Sequence, residues 1–198
     1  MDMTVLYPAR KFRLSPGNYA RRGRDPFHWV VQADNLHDAA IAVFKQIMQD
    51  RADLKTESMW IDDVYKYLIG MTLENLLKAI MIRDDQSLVN EHQLHKGIRY
   101  HDMWRRQKDN KLKALKEPYN LSQDEQDFLK IAEYYVVWMG RYPIPTTEKA
   151  YRDDLDAIEA FEKLHPNIED FDALFNRVYH ILVQIALGVD RRRYPIKT

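Results

Sequence analysis

The chain of 198 residues contains no cysteine. Disulfides, thiolate zinc sites, iron–sulfur clusters and cysteine nucleophiles are therefore excluded. Glycine is scarce, at 6 residues, and no GxGxxG or GxxxxGK(S/T) pattern occurs, so no glycine-rich loop is present to cradle a phosphate. No stretch approaches the roughly 18 uninterrupted apolar residues of a membrane span. The opening residues, MDMTVLYPARKFRLSPG, lack the apolar centre of a signal peptide. A cytoplasmic protein away from the membrane is the expectation. An excess of either charge is also missing: 30 Lys and Arg meet 30 Asp and Glu. With no global field, contact with nucleic acid or anionic lipid must use a local patch. Sustained alternation of apolar and polar residues, the mark of strands, is absent too.

What the chain does have is apolar residues at helical spacing. The longest such run is Ile61 to Ile82, with Ile61, Val64, Tyr65, Leu68 and Met71 followed by Leu73, Leu76, Leu77, Ile80 and Met81. The apolar face is wider than a surface helix needs, which predicts packing on more than one side. Glu74 and Lys78 stand out within it. They are four apart with the acid first, the favourable order for a side-chain pair. The plain reading is a solvated ion pair; the sharper one is a pair beside a functional groove.

Ahead of this run, Pro8, Pro16, Gly17, Gly23 and Pro26 interrupt residues 1–31, which read as an irregular arm made basic by Arg10, Lys11, Arg13, Arg21, Arg22 and Arg24. Asp34 or Asn35 would cap a first helix from Leu36 to Gln49. After the central run, a short helix ending at Gly97 fits 84–100. There His92 and His95, near Glu91 and His101, are too few firm ligands for a metal site, and no metal or cofactor is expected. Residues 101–116 read as a helix bearing Arg105, Arg106, Lys108, Lys111, Lys113 and Lys116, a second basic patch. Ser122 with Glu125 forms a capping box opening a helix that Gly140 and Pro143 close. Arg141, just past that end, complements its carbonyls. A further helix runs from about Thr147 to Leu164. A last one runs from Glu169 to Leu187, with His180 at its core edge, Gly188 as cap and a basic tail, 189–198, behind it. The sum is an all-α, up-and-down helical bundle over 32–188.

Three motifs carry a likeness to a known group: LENLLKAI at Leu73 to Ile80, YHDM at Tyr100 to Met103, and LSQDEQDFLKIAEYYVVWMGRYPIP at Leu121 to Pro145. In this order the chain resembles the HEPN-like superfamily of small all-α bundles, in an uncharacterised bacterial branch. The resemblance covers about 36 to 145 and implies the bundle fold and a homodimer across the long helices. Two departures qualify what it implies. Tyr100 stands where that branch often has glycine. The ribonuclease motif, Arg followed after four to six residues by His at a helix end, has no clear counterpart: Arg177 and His180 are too close, and no histidine follows Arg141. Arg22 to His28 has the spacing, with Gly23 and Pro26 against a helix there.

The leading expectation is a non-catalytic module that binds nucleotide, RNA or a partner protein at a groove formed by Glu74, Lys78, His101, Asp102, Arg141 and Tyr142. Lys78 and Arg141 would hold an anion, and Tyr142 would stack on a base. Two alternatives remain. One is a metal-independent ribonuclease of toxin type, with His101 as acid and base and Arg99, Arg105 or Arg141 on the phosphate. The other is a structural or regulatory partner, such as an antitoxin or a nucleotidyltransferase companion.

Overall fold

The structure, a computed structural model, describes residues 22–53, 59–89, 121–136, 148–165 and 167–188. These form five α-helices and one 3-10 turn, with no strand among them: α1 (Pro26–Ala52), α2 (Met59–Asp84), the turn Gln86–Leu88, α3 (Gln123–Tyr134), α4 (Glu148–Leu164) and α5 (Ile168–Ala186). No described helix is long and apolar enough to cross a membrane.

α1 begins well before its apolar stripe. Asp25 is its N-cap, with Oδ1 accepting from the Phe27 N–H at 3.0 Å. Pro26 occupies the first helical position, where its fixed φ suits the helix and its missing N–H costs nothing. Residues 26–31, expected in an irregular arm, are thus the first turns of a helix. Pro26 starts the element instead of interrupting it, and Asp34 lies inside the helix, not at its cap. The Arg24 guanidinium (Nε) donates to the Val89 carbonyl at 2.8 Å, tying this start to the segment after α2.

α1 and α2 are each about 40 Å long at 1.5 Å per residue. They pair antiparallel: Arg24 meets Val89, Lys78 lies over Trp29, Phe44 packs on Tyr65, and Arg51 bonds Asp62. α5 runs parallel to α2, since Tyr65 meets Asp172 and Arg83 donates to the Ile185 carbonyl. α3 lies on a further side. α2 is therefore the central helix, packed against α1, α3 and α5, as its wide apolar face predicts. Tyr65, Ile69, Leu73, Leu76 and Ile82 are fully buried on it. An aromatic cluster of Phe128, Phe161, Phe171, Tyr135 and Tyr65 joins α2, α3, α4 and α5, with ring centroids 4.9 to 6.4 Å apart among the contacts made by Phe171.

The Ser122–Glu125 capping box forms as expected. Ser122 Oγ accepts from the Glu125 N–H at 3.2 Å, and Glu125 Oε2 accepts from the Ser122 N–H at 2.8 Å. α5 ends at Gly188 with φ 67, a left-handed conformation that glycine adopts without penalty. Past Tyr134, α3 widens to a π-type turn at Tyr135 and Val136. Gly70 of α2 faces this turn. A Cβ there would clash with the Val136 side chain and sit 2.7 Å from the Ala132 carbonyl oxygen. Backbone cannot step aside as a side-chain tip can. Gly70→Ala should therefore lower stability by about 2 kcal/mol, from forced separation of α2 and α3. Urea denaturation reads it, and an unchanged midpoint would refute the close approach.

Candidate functional site

Of the six groove residues expected from the sequence, Glu74 and Lys78 lie in α2. His101, Asp102, Arg141 and Tyr142 lie outside the described residues, as do Glu91, His92, His95, Arg99 and Arg105. The expected short helix ending at Gly97, basic helix over 101–116, cap at Gly140 and basic tail also fall outside them.

The Glu74–Lys78 pair is not a solvated one. Glu74 is 3 % exposed and Lys78 is 7 % exposed. Lys78 Nζ lies 2.5 Å from Glu74 Oε1 and 5.4 Å from the centroid of the Trp29 ring on α1. At 100° per residue both side chains leave α2 on the flank away from Tyr65 and Arg83, which face α5. The plain reading fails because α2 is enclosed on several sides, so its polar positions are taken inside with the apolar ones. The second carboxylate oxygen, Glu74 Oε2, is buried and has no hydrogen-bond partner among the described residues. A buried acceptor left open is costly, by about 1–3 kcal/mol and more for an ion.

A second polar constellation joins α1, α2 and α5, and sequence reasoning did not find it. Tyr179 OH donates to Asp34 Oδ1, and the His37 ring stacks on Tyr179 with centroids 3.9 Å apart. His37 Nε2 lies 3.1 Å from Asn176 Oδ1. Asn176 Nδ2 donates to Asp172 Oδ2 at 2.9 Å, and Tyr65 OH donates to Asp172 Oδ1 at 2.5 Å. Because the Asn176 amide nitrogen is spent on Asp172, its oxygen is the acceptor, and His37 Nε2 carries the proton. The available signal was spacing: Asp172, Asn176 and Tyr179 fall four and three apart on α5, and Asp34 and His37 three apart on α1. A third group links α2, α3 and α4. Tyr135 OH donates to Glu162 Oε1 at 3.2 Å, and Lys66 Nζ bonds the same oxygen at 2.7 Å while lying 5.3 Å above the Tyr135 ring.

Burial, reinforced by Asp172, pushes the Tyr65 hydroxyl far above its ordinary range. Burial, with Glu162 beside it, does the same to Tyr135. Both phenols are permanent donors. Burial also raises Asp34, against the Tyr179 hydrogen bond and the nearby His37, and it lowers His180 together with His37. His180 sits edge-on to Tyr179 at 5.4 Å, at the exposed margin of α5. No group of three His, Asp or Glu side chains able to hold a metal occurs among the described residues.

Truncating one member of the α2 pair should cost about 3–5 kcal/mol, because the other charge is left buried and alone. Glu74→Gln/Lys78→Met, which removes both charges, should stay within about 1.5 kcal/mol of wild type. A double-mutant cycle by urea denaturation reads both. Additive losses would show that the pair is not coupled. Asp34 has its own signature. Since folding raises its pKa above the ordinary 3.8, the stability it contributes is complete below that pH and falls as pH rises through the folded value. Asp34→Asn should therefore gain on wild type between pH 3.5 and pH 7, on the order of the shift itself. A pH-independent difference in denaturation midpoint would contradict this.

No family model matches the chain, and neither a curated protein nor a solved structure matches it.

Proposed function

We propose that the chain is a non-catalytic helical module, paired as a homodimer, that binds RNA through its basic segments. The observation behind this reading is a separation of charge along the chain. The described helices and their caps hold 12 Lys and Arg against 23 Asp and Glu, whereas the remaining stretches hold 18 against 7. The excess cations fall in three places: Arg10 to Arg21, Arg99 to Lys116, and Arg191 to Lys197. A bundle of net negative charge repels a polyanion, so phosphate contacts are confined to those segments. Tyr and Trp residues among the cations, Tyr19, Tyr100, Trp104 and Tyr194, suit stacking on unpaired bases. The likeness of three motifs to the HEPN-like superfamily supports the pairing of two copies, and the extended Asp25 cap that splits Arg22 from His28, the latter inside α1, supports a binding role over cleavage.

Phosphate contacts release counterions, which makes the test one of salt. For single strands each contact adds about 0.7 to the slope of log affinity on log salt, so four contacts lose about fifty-fold between 50 and 200 mM. Fluorescence anisotropy with a short single-stranded RNA should show such a loss. Replacing Arg105, Arg106, Lys108 and Lys111 by glutamine should lower the slope by about 3. Absence of binding at low salt would overturn the reading. Cleavage of the RNA, abolished by His101→Ala, would replace it with the ribonuclease one. Light scattering on the same samples should give about twice the 23.7 kDa chain mass.

A further inference from the structure

The five helices are not held equally. α5 buries ten of its 19 residues. Of the side chains described in α4, Phe161 alone is buried, at 5 % exposed. Asp156, Glu159 and Lys163 face water, and Leu164 is 75 % exposed. The core closes without α4. Phe128 of α3 meets Phe171 of α5 edge-on at 4.9 Å, and Tyr135, in the π-type turn that continues α3, meets Phe171 at 6.2 Å. Gly70 seats that turn on α2. Phe161 joins this cluster from its flank, 6.1 Å from Phe128 and 6.2 Å from Phe171.

The second hold on α4 is electrostatic. Glu162 Oε1 accepts from Lys66 Nζ of α2 at 2.7 Å and from the Tyr135 hydroxyl at 3.2 Å. The Lys66 side chain is 21 % exposed and that of Glu162 43 % exposed, so salt reaches the pair. Lys66 is a cation among carboxylates. Burial holds the Asp63 carboxyl above its ordinary pKa; Lys66 works against this, and the like charges of Asp62 and Glu162 add to it. With the Lys66 charge removed, Glu162 keeps its repulsion from Asp63 and loses the attraction that offsets it.

We propose that α4 is a releasable helix, latched to the α2–α3 seam by Lys66, which leaves as a unit while α1, α2, α3 and α5 stay folded. One buried anchor and one half-exposed ion pair place it at the low-stability end of the bundle, where local opening precedes global unfolding. Its departure uncovers the side of the Phe128–Phe171 cluster that Phe161 covers. The bundle thus has a shut and an open state, and ionic strength and the charge at position 66 set their ratio. This device is independent of the RNA-binding reading.

Hydrogen exchange of the full chain, followed by mass spectrometry and corrected for intrinsic rates, tests it segment by segment. Amides of 155–164 should exchange well ahead of those of α2 and α5 in wild type. Raising sodium chloride from about 50 mM to about 1 M should widen that gap, because the pair is screened. Lys66→Met should speed the α4 amides about fivefold, the equivalent of one half-exposed pair, and leave α2 and α5 as in wild type. Glu162→Gln, which keeps an oxygen for the Tyr135 hydroxyl, should act in the same direction and serves if the Lys66 variant fails to fold. Wild-type exchange of α4 at the rate of α2 and α5 overturns the proposal, since α4 then opens only with the whole bundle. A charge-removing variant that speeds every helix alike, or none, overturns it too, because the pair then holds the whole bundle or nothing.

Discussion

Enclosure of α2 is the constraint on which the rest of this structure depends. Packed by α1, α3 and α5, residues 72–80 of α2 are all buried, whereas its first turns keep partial exposure. Polar side chains on this helix take partners within the protein. Thr72 and Asn75 do so on their own helix, donating to the carbonyls of Leu68 and Met71 at 2.8 and 2.7 Å. Tyr65 reaches Asp172, Lys66 reaches Glu162, and Glu74 and Lys78 take each other. Two α2 carboxylate oxygens, Asp62 Oδ1 and Glu74 Oε2, are buried without a hydrogen-bond partner among the described residues.

The contacts that position neighbouring helices on α2 differ in kind. α3 approaches through shape: Gly70 admits the π-type turn at Tyr135 and Val136. α5 approaches through an apolar stripe edged by tyrosine–carboxylate bonds, at Tyr65–Asp172 and, onto α1, at Tyr179–Asp34. Burial holds the Tyr65 phenol far above its ordinary pKa, so it stays a donor to Asp172 as pH rises, and burial shifts Asp34 and His180 toward their neutral forms. Hydrogen bonds of this kind are directional, so they fix register where apolar packing alone tolerates slip.

Charge is also divided along the chain. The helices that make the bundle are acidic, and the stretches between and beyond them are basic. The whole-chain value of +0 therefore conceals an uneven distribution of charge along the sequence.

The sequence by itself determined that the described chain is helical, where α2, α4 and α5 lie and where α3 begins, to within a few residues, and that the Ile61–Ile82 run is central, because apolar period and capping chemistry are local properties. Ser122, Glu125 and Gly188 are instances: each acts within one turn of its own position. It misplaced the start of α1 because a proline after an aspartate reads equally as a break and as a helix's first residue. Only the tertiary structure decided that Glu74 and Lys78 are buried, that Trp29 covers the ammonium, and that Asp34, His37, Asp172, Asn176 and Tyr179 meet. Those relations join positions as far as 145 residues apart along the chain, and a helical period says which residues share a face without saying what that face is packed against.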